Sequence, residues 1–137
     1  MQYGQFCPVS KATEILGDKW TLLIVRELLM GASRFNTLQR GLSSISPTML
    51  TKRLNELCAC GIVMKKKIPG QKGYEYFLTP SGQELLPVLE AVGVWGMRWA
   101  REGMPEGDLD VELLMLYLER SVDVNKLIGT ETVIRFQ

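Results

Sequence analysis

The feature that most constrains the fold of this chain is an amphipathic helix predicted over residues 46–60. Its start is marked by a good N-cap and by a proline at the first helical position, where a missing N–H costs nothing: Ser46 and Pro47. Its apolar side has leucines at i, i+4 and i+7: Leu50, Leu54 and Leu57. Its opposite side is polar: Thr48, Lys52 and Asn55. Such a helix can pack through its leucines and present its polar face to a DNA major groove.

Charge is distributed unevenly along the chain. Residues 1–80 hold 11 Lys and Arg against 5 Asp and Glu, a net of +6, whereas residues 81–137 hold 5 against 10, a net of −5. The overall formal charge of +1 therefore hides a basic first part and an acidic second part. This arrangement favours a nucleic-acid-binding head joined to an interaction tail, with chance asymmetry as the alternative.

Composition excludes several classes of protein. The 137 residues are 46% hydrophobic, with no apolar run of the roughly 18–20 residues that span a bilayer. The first residues lack the basic start and apolar core of a signal peptide, so we expect a cytoplasmic protein whose three cysteines are reduced. The chain has no histidine, the commonest general base and metal ligand. It also lacks a phosphate-binding glycine loop, and we predict neither an enzyme nor a cofactor or metal site.

Helical and strand periodicities divide the rest of the chain. Helices are predicted over residues 7–16, over residues 19–30 with Asp18 as the cap, and over residues 35–40 after a minimal strand at Ser33-Arg34. The second helix has a predicted apolar face: Trp20, Leu23, Ile24 and Leu28. A hairpin follows, with strands 62–68 and 74–78 around loop 69–73. A long helix over residues 79–102 contains Pro87, which should kink or interrupt it.

This order of elements predicts a mainly α protein with a small β-hairpin wing (α+β), a winged helix-turn-helix. In that architecture the 46–60 helix lies in the major groove, about 12 Å wide, and the basic wing reaches phosphates. Asn55 suits adenine, Lys52 suits guanine or phosphate, and a threonine methyl suits thymine. Arg34 and Arg53 are better candidates for phosphate. The predicted DNA-binding residues are Arg34, Ser46, Thr48, Thr51, Lys52, Arg53, Asn55, Lys65, Lys66, Lys67 and Lys72. For residues 65–67, a solvated strand edge is the alternative.

An ordered series of short motifs runs through the same region of the chain. The motifs are Cys7-Pro8-Val9, Gly17-Asp18-Lys19-Trp20-Thr21-Leu22-Leu23-Ile24, Arg34-Phe35-Asn36, Ile45-Ser46-Pro47, Leu57-Cys58-Ala59-Cys60-Gly61-Ile62-Val63, Tyr74-Glu75-Tyr76 and Leu78-Thr79-Pro80-Ser81-Gly82. Over about residues 6–99 the chain resembles the HxlR family of winged-helix transcriptional regulators. The resemblance implies a homodimer on a palindromic operator. Many relatives carry a basic residue at Thr48, so the resemblance does not imply which base this position contacts.

The resemblance also implies dimerisation through the first helix and the long helix after the wing. The predicted dimerisation residues are Val9, Leu85, Leu89, Val92, Trp95 and Trp99. For the two tryptophans, the wall of an effector pocket between protomers is the alternative. Cys7 is a candidate sensor of an oxidant or electrophile, with packing at the dimer interface as the alternative. Cys58 and Cys60 lack the further ligands that zinc requires, so we expect them to fill space near the hairpin.

The chain divides into a DNA-binding and dimerisation domain over residues 1–103 and a C-terminal extension over residues 104–137. A linker at 103–107, a helix at 110–120 and a strand at 132–136 are predicted. This part resembles the entry into a sterol-carrier-like domain of longer relatives, which implies a truncated second domain; an element that completes the dimer is the alternative. We predict a sequence-specific repressor that binds duplex DNA as a homodimer and responds to a small-molecule or electrophile effector. The rival is a protein-interaction or apolar-ligand-binding module.

Overall fold

The computed structural model describes residues 6–100 of the chain. The first half of this region is helical: α1 (Pro8–Leu16), α2 (Thr21–Leu29), α3 (Phe35–Gly41) and α4 (Pro47–Ala59). The second half begins with a hairpin and ends with two helices: β1 (Val63–Lys67), β2 (Tyr74–Leu78), α5 (Pro80–Gln83) and α6 (Leu86–Trp99). No helix among these residues is long and apolar enough to cross a membrane. The predicted winged helix-turn-helix is confirmed.

Helix α4 has the predicted boundaries and the predicted buried stripe. The Ser46 hydroxyl oxygen accepts a hydrogen bond from the Met49 backbone N–H at 3.1 Å, which caps the helix start. Its three leucines belong to a core shared with α2, α3, the wing and α6: Leu50, Leu54 and Leu57. At the other end Gly61 adopts φ +77°, a left-handed conformation that glycine reaches without a Cβ clash. Local sequence signals therefore define this helix completely.

Helix α2 begins later than predicted, and its buried face includes Ile24 and Leu28 of the predicted face but not Leu23. Trp20 is its N-cap, in a left-handed conformation (φ +82°), and Asp18 contributes only a backbone carbonyl to the Thr21 N–H at 3.3 Å. The predicted side-chain cap at Asp18 is therefore wrong. Leu23 is 40% exposed and is not part of the apolar face. The buried residues are Thr21, Ile24, Val25, Leu28 and Leu29. Trp20 packs against the core from its position just before the helix.

The wing is an antiparallel hairpin with a third, minimal strand. The register runs from Val63 opposite Leu78 to Lys67 opposite Tyr74, so β1 is one residue shorter at each end than predicted. Arg34 forms an isolated antiparallel bridge with Glu75, and the Tyr76 N–H donates to the Ser33 carbonyl at 2.8 Å. The predicted minimal strand at Ser33-Arg34 is confirmed, and it fixes the wing to the start of α3.

The long helix after the wing is interrupted, as Pro87 predicted. Helix α5 ends at Gln83, and α6 starts at Leu86 with the proline in its first turn. The predicted dimerisation residues in this part of the chain differ in burial: Leu89 is buried, Leu85 is half-buried, and Val92, Trp95 and Trp99 are exposed. The predicted end of this helix at residue 102 lies outside the described residues. So do the linker at 103–107, the helix at 110–120, the strand at 132–136 and the boundary between domains 1–103 and 104–137.

Candidate nucleic-acid interface

The solvent side of α4 carries an unbroken set of polar side chains. All of the predicted groove-facing residues are exposed: Ser46, Thr48, Thr51, Lys52 and Asn55. The leucines opposite them are almost fully buried, so the helix cannot rotate about its axis without exposing its core face. The polar face is therefore held outward by the core. It offers hydroxyl, amide and ammonium groups, which are the donors and acceptors that bind base edges and phosphates.

Arg53 lies on α4 but is engaged within the chain. Its Nε donates to the Lys19 carbonyl at 2.8 Å, and its Nη1 lies 2.9 Å from Glu56 Oε1. The side chain is only 11% exposed. It lines a cavity of about 170 Å³ between the end of α1 and α4, together with Glu14, Asp18 and Cys60. The guanidinium predicted to bind phosphate thus ties α4 to the turn before α2.

The wing lysines divide into two pairs. Lys65 Nζ lies 4.1 Å from the centroid of the Tyr74 ring, and Lys66 Nζ lies 5.5 Å from that of Phe77. These cation–π contacts place both ammonium groups against the surface of the sheet. Lys67 and Lys72 are exposed and form no ion pair among residues 6–100. The far end of the wing therefore presents the more accessible positive charge.

Arg34 joins the wing to α3. Its Nε lies 3.8 Å from Glu75 Oε2, and its Nη1 donates to Gln71 Oε1 at 3.3 Å, near the wing tip. The same Glu75 oxygen accepts from the Ser33 hydroxyl at 3.0 Å. The Arg34 side chain remains half-exposed, so part of its guanidinium faces solvent. Arg34 therefore presents its remaining N–H groups at the start of α3, beside the wing.

The outer side of α3 was not among the predicted site residues. Its end and the following turn line an open depression of about 680 Å³: Asn36, Gln39, Arg40 and Ser43. Gln39 Nε2 donates to the Ile45 carbonyl at 3.4 Å, just before the cap of α4. An amide at residue 36 and a basic residue at 40 are one helical turn apart, and this spacing could have indicated the polar face in the sequence.

The three cysteines lie in different environments. Cys7 is exposed at the N-terminus of α1, where the backbone N–H groups of Ser10 and Val9 lower the pKa of its thiol. Burial raises the pKa of the Cys58 thiol, an effect that the nearby Lys65 ammonium opposes. Cys60 is exposed beside the cavity that Arg53 lines. Among residues 6–100 no cluster of acidic and cysteine side chains could hold a metal ion.

Exposed apolar side chains concentrate on two elements outside the core. On α6, Trp95 is 63% and Trp99 is 69% exposed, and Val92 lies one turn before Trp95. Val9, near the start of α1, is also largely exposed. Leu85 and Leu89, predicted for the same dimer surface, are half-buried and buried within the chain itself. An exposed group of large apolar side chains is typical of a surface that another molecule covers.

Comparison with known proteins points to one family. Residues 15–104 match the model of the HxlR-like helix-turn-helix family. YvaP of Bacillus subtilis (strain 168), an HTH-type transcriptional regulator, is 37% identical over 101 residues, covering 72% of this chain and 94% of the relative. The reduced form of the transcriptional regulator YodB from B. subtilis superposes with a TM-score of 0.62 and 31% identity, covering 72% of this chain and 99% of that one.

A second solved structure is similarly close. The redox regulator HypR in its reduced form has a TM-score of 0.64 and 32% identity, with 71% of this chain and 95% of that chain covered. YodB is also known in a diamide-treated form and HypR in an oxidized form. These proteins are regulators and not enzymes, in agreement with the prediction from the sequence.

Proposed function

Because the chain belongs to the HxlR-like helix-turn-helix family, whose relatives regulate transcription, we propose that it is a repressor that binds a partly palindromic operator as a homodimer. The observation that carries the proposal is the outward polar face of α4. Asn55 is suited to a bidentate contact with adenine, and Lys52 to guanine or phosphate. The methyl groups of Thr48 and Thr51 suit the methyl group of thymine.

Phosphate contacts orient the protein on the duplex in this proposal. Lys67 and Lys72 reach the backbone beside the groove that α4 enters, and the half-exposed Arg34 contacts it from the start of α3, beside the wing. Lys65 and Lys66 add positive potential from opposite faces of the hairpin, where they rest on the Tyr74 and Phe77 rings. Such contacts increase affinity for every sequence and make it salt-dependent.

The homodimer is supported by the exposed apolar side chains of α1 and α6. Val9, Val92, Trp95 and Trp99 are exposed within one chain, and a second copy would remove them from water. Leu89 is buried in the core of the same chain and Leu85 is half-buried against it, so they contribute to the proposed dimer surface less directly than the exposed residues. A dimer places two α4 helices in successive major grooves, about 34 Å apart. The operator half-sites are then about one helical turn apart.

An electrophoretic mobility experiment on DNA tests the proposal. A duplex selected from random sequence by the chain is compared with a scrambled duplex of the same composition, at several salt concentrations. We expect a shift that prefers the selected duplex and weakens as salt rises. No shift at low salt would favour instead a protein-interaction or apolar-ligand-binding module, with the wing as a structural hairpin. In transcription from a promoter that carries the selected site, added protein should lower transcript yield, and a rise would contradict repression.

We also propose that Cys7 is the group through which an oxidant or electrophile controls DNA binding. Its thiol is exposed, and its lowered pKa increases the fraction of nucleophilic thiolate at neutral pH. The related YodB and HypR structures include diamide-treated and oxidized forms. Diamide should weaken binding to the selected duplex by the wild-type chain and leave Cys7→Ser unaffected. Equal weakening of both proteins would contradict this role and point to Cys58 or Cys60. No effect of diamide on either protein would also contradict it and would favour packing of Cys7 at the dimer interface.

A further inference from the structure

We infer that Arg53 is a positioning residue, which sets the placement of α4 against the turn between α1 and α2 and does not bind phosphate. The inference rests on the proposed function, because it concerns how the helix that reads DNA is held. It also replaces the phosphate role that the sequence suggested for this residue.

The geometry of the guanidinium is that of a bridge between two segments of the chain. Nε donates to the Lys19 carbonyl at 2.8 Å, and Nη1 lies 2.9 Å from Glu56 Oε1, one turn further along α4. The side chain is 11% exposed, so little of its guanidinium is accessible to a phosphate. One bond goes to a carbonyl and the other to a carboxylate, and together they fix the plane of the guanidinium.

The acceptor at Lys19 is itself held in place. The next residue, Trp20, has φ +82° and packs partly buried against the core, and its carbonyl accepts from the Ile24 N–H at 2.9 Å. The Lys19 ammonium lies 5.5 Å from the centroid of the Trp20 ring. A left-handed residue locked by its own packing gives the preceding carbonyl a defined position. Arg53 therefore connects α4 to a fixed point rather than to a loose loop.

The leucine stripe and the hydrogen bonds of Arg53 hold α4 in different ways. The leucine stripe decides which side of the helix is buried, but apolar packing is not directional. The bond from Arg53 to the Lys19 carbonyl fixes how far α4 slides and tilts against the turn before α2, and the bond to Glu56 orients the guanidinium that makes it. Base edges are read only when donors and acceptors are placed within about 0.5 Å. Attraction to phosphate acts over a Debye length of about 8–10 Å and tolerates such displacements.

The decisive variants are Arg53→Lys, which keeps the charge but replaces the planar fork with a single ammonium, and Arg53→Gln. Binding to the selected duplex and to the scrambled duplex is measured across a salt series, together with thermal unfolding. We expect the preference for the selected duplex to fall by about tenfold in both variants, the size of one lost base contact. In Arg53→Lys, affinity for the scrambled duplex and the salt slope should stay at the wild-type values.

Glu56→Gln provides a second variant, which we expect to fold because Glu56 is half-exposed and the bond from Arg53 to Lys19 remains. We expect a smaller loss of preference, with an unfolding temperature near that of the wild type. An unchanged preference in Glu56→Gln would overturn the inference even if the Arg53 variants failed to fold. Lys52→Gln, an exposed neighbour on α4, serves as the control for a direct DNA contact and should lower affinity for the selected duplex.

Three other outcomes would overturn the inference. If the salt slope of Arg53→Gln is smaller than that of the wild type by about 0.9, Arg53 is a phosphate ligand. A wild-type preference for the selected duplex in Arg53→Lys would show that the planar guanidinium is not needed. A lower unfolding temperature with unchanged preference would leave Arg53 a purely structural role. Failure of the proposed function is distinguishable from all of these, because the wild-type chain itself would then show no preference between the two duplexes.

Discussion

Gly82 lies at the base of the wing, where the backbone of α5 approaches that of the strand region most closely. A Cβ at this position would overlap the Ile62 carbonyl oxygen and lie 2.8 Å from Leu78 Cδ2. Because the clash is with backbone, it cannot be relieved by rotating a side chain. Glycine is therefore required here by space and not by backbone conformation.

Gly82→Ala should lower the free energy of unfolding by about 1–3 kcal/mol, since overpacking forces the backbone to shift. Thermal unfolding followed by circular dichroism measures the loss. Gly96→Ala is the matched control: that glycine lies in α6, and a Cβ there would have no neighbour within 4 Å. The control should unfold at the wild-type temperature or slightly above it, because alanine favours helix. Equal losses in the two variants would contradict the close approach at Gly82.

The cysteines provide a residue-scale prediction about pH. The thiolate is the form that reacts, and the pKa of Cys7 is lowered by amides of α1 while the pKa of Cys58 is raised by burial. The rate of alkylation by iodoacetamide should therefore reach half its maximum at a lower pH for Cys7 in the folded chain than in urea. For Cys58 the shift should be in the opposite direction. Peptide mass spectrometry separates the two sites, and a Cys7 midpoint that does not move would contradict the effect of the helix N-terminus.

At the scale of elements, α4 combines two independent surfaces on neighbouring residues. Leu54 is fully buried in the core, whereas Asn55 is exposed on the polar face. Stability and DNA reading should therefore be separable by single substitutions one residue apart.

Leu54→Ala should lower the free energy of unfolding by about 2–5 kcal/mol, because it removes buried methyl groups and leaves a cavity. Asn55→Ala should change it by no more than about 0.5 kcal/mol and should relax preference at one base pair of the selected operator. Chemical denaturation and binding to a set of single-base variants measure the two effects. A large loss of stability in Asn55→Ala, with base preferences unchanged, would contradict the outward placement of this face.

The wing should contribute affinity without sequence preference. Substituting the two wing lysines that do not rest on the Tyr74 or Phe77 ring, Lys67→Gln and Lys72→Gln, should weaken binding to selected and scrambled duplexes equally and flatten the salt slope by about 0.9 for each lost contact. Fluorescence anisotropy across a salt series measures both quantities. Lys66→Gln is the control, since that ammonium rests on the Phe77 ring, and its effect on the slope should be smaller. A change in base preference in the double variant would contradict a purely phosphate role.

The elements differ in how far the sequence determines them. Helix α4 and its cap were predictable because an N-cap serine, a proline, spaced leucines and a terminal glycine are local signals. The start of α2 was not, because the left-handed Trp20 is stabilised by packing against residues distant in sequence. The bond from Arg53 to the Lys19 carbonyl was not predictable either. Its acceptor is a backbone carbonyl 34 residues away, and no side-chain pattern records it.

At the scale of the whole molecule, the chain combines the polar face of α4, a basic wing and exposed apolar side chains on α1 and α6. The polar side of α4 could be inferred from periodicity, and the exposure of Trp95 and Trp99 is consistent with their predicted place in a dimer. In the proposed homodimer, two copies joined through these side chains would set the spacing of their α4 helices. That spacing would let the proposed dimer bind a palindrome rather than a single half-site.

The central claim is tested most directly by hydroxyl-radical footprinting of the wild-type chain on a duplex that it has selected from random sequence. We expect two protected segments on one face of the DNA, with centres about 10 base pairs apart or a multiple of that distance. Protection should be lost together at both segments as salt rises. A footprint confined to one half-site at saturating protein would contradict a dimeric reader, and no protection at low salt would contradict DNA reading by α4.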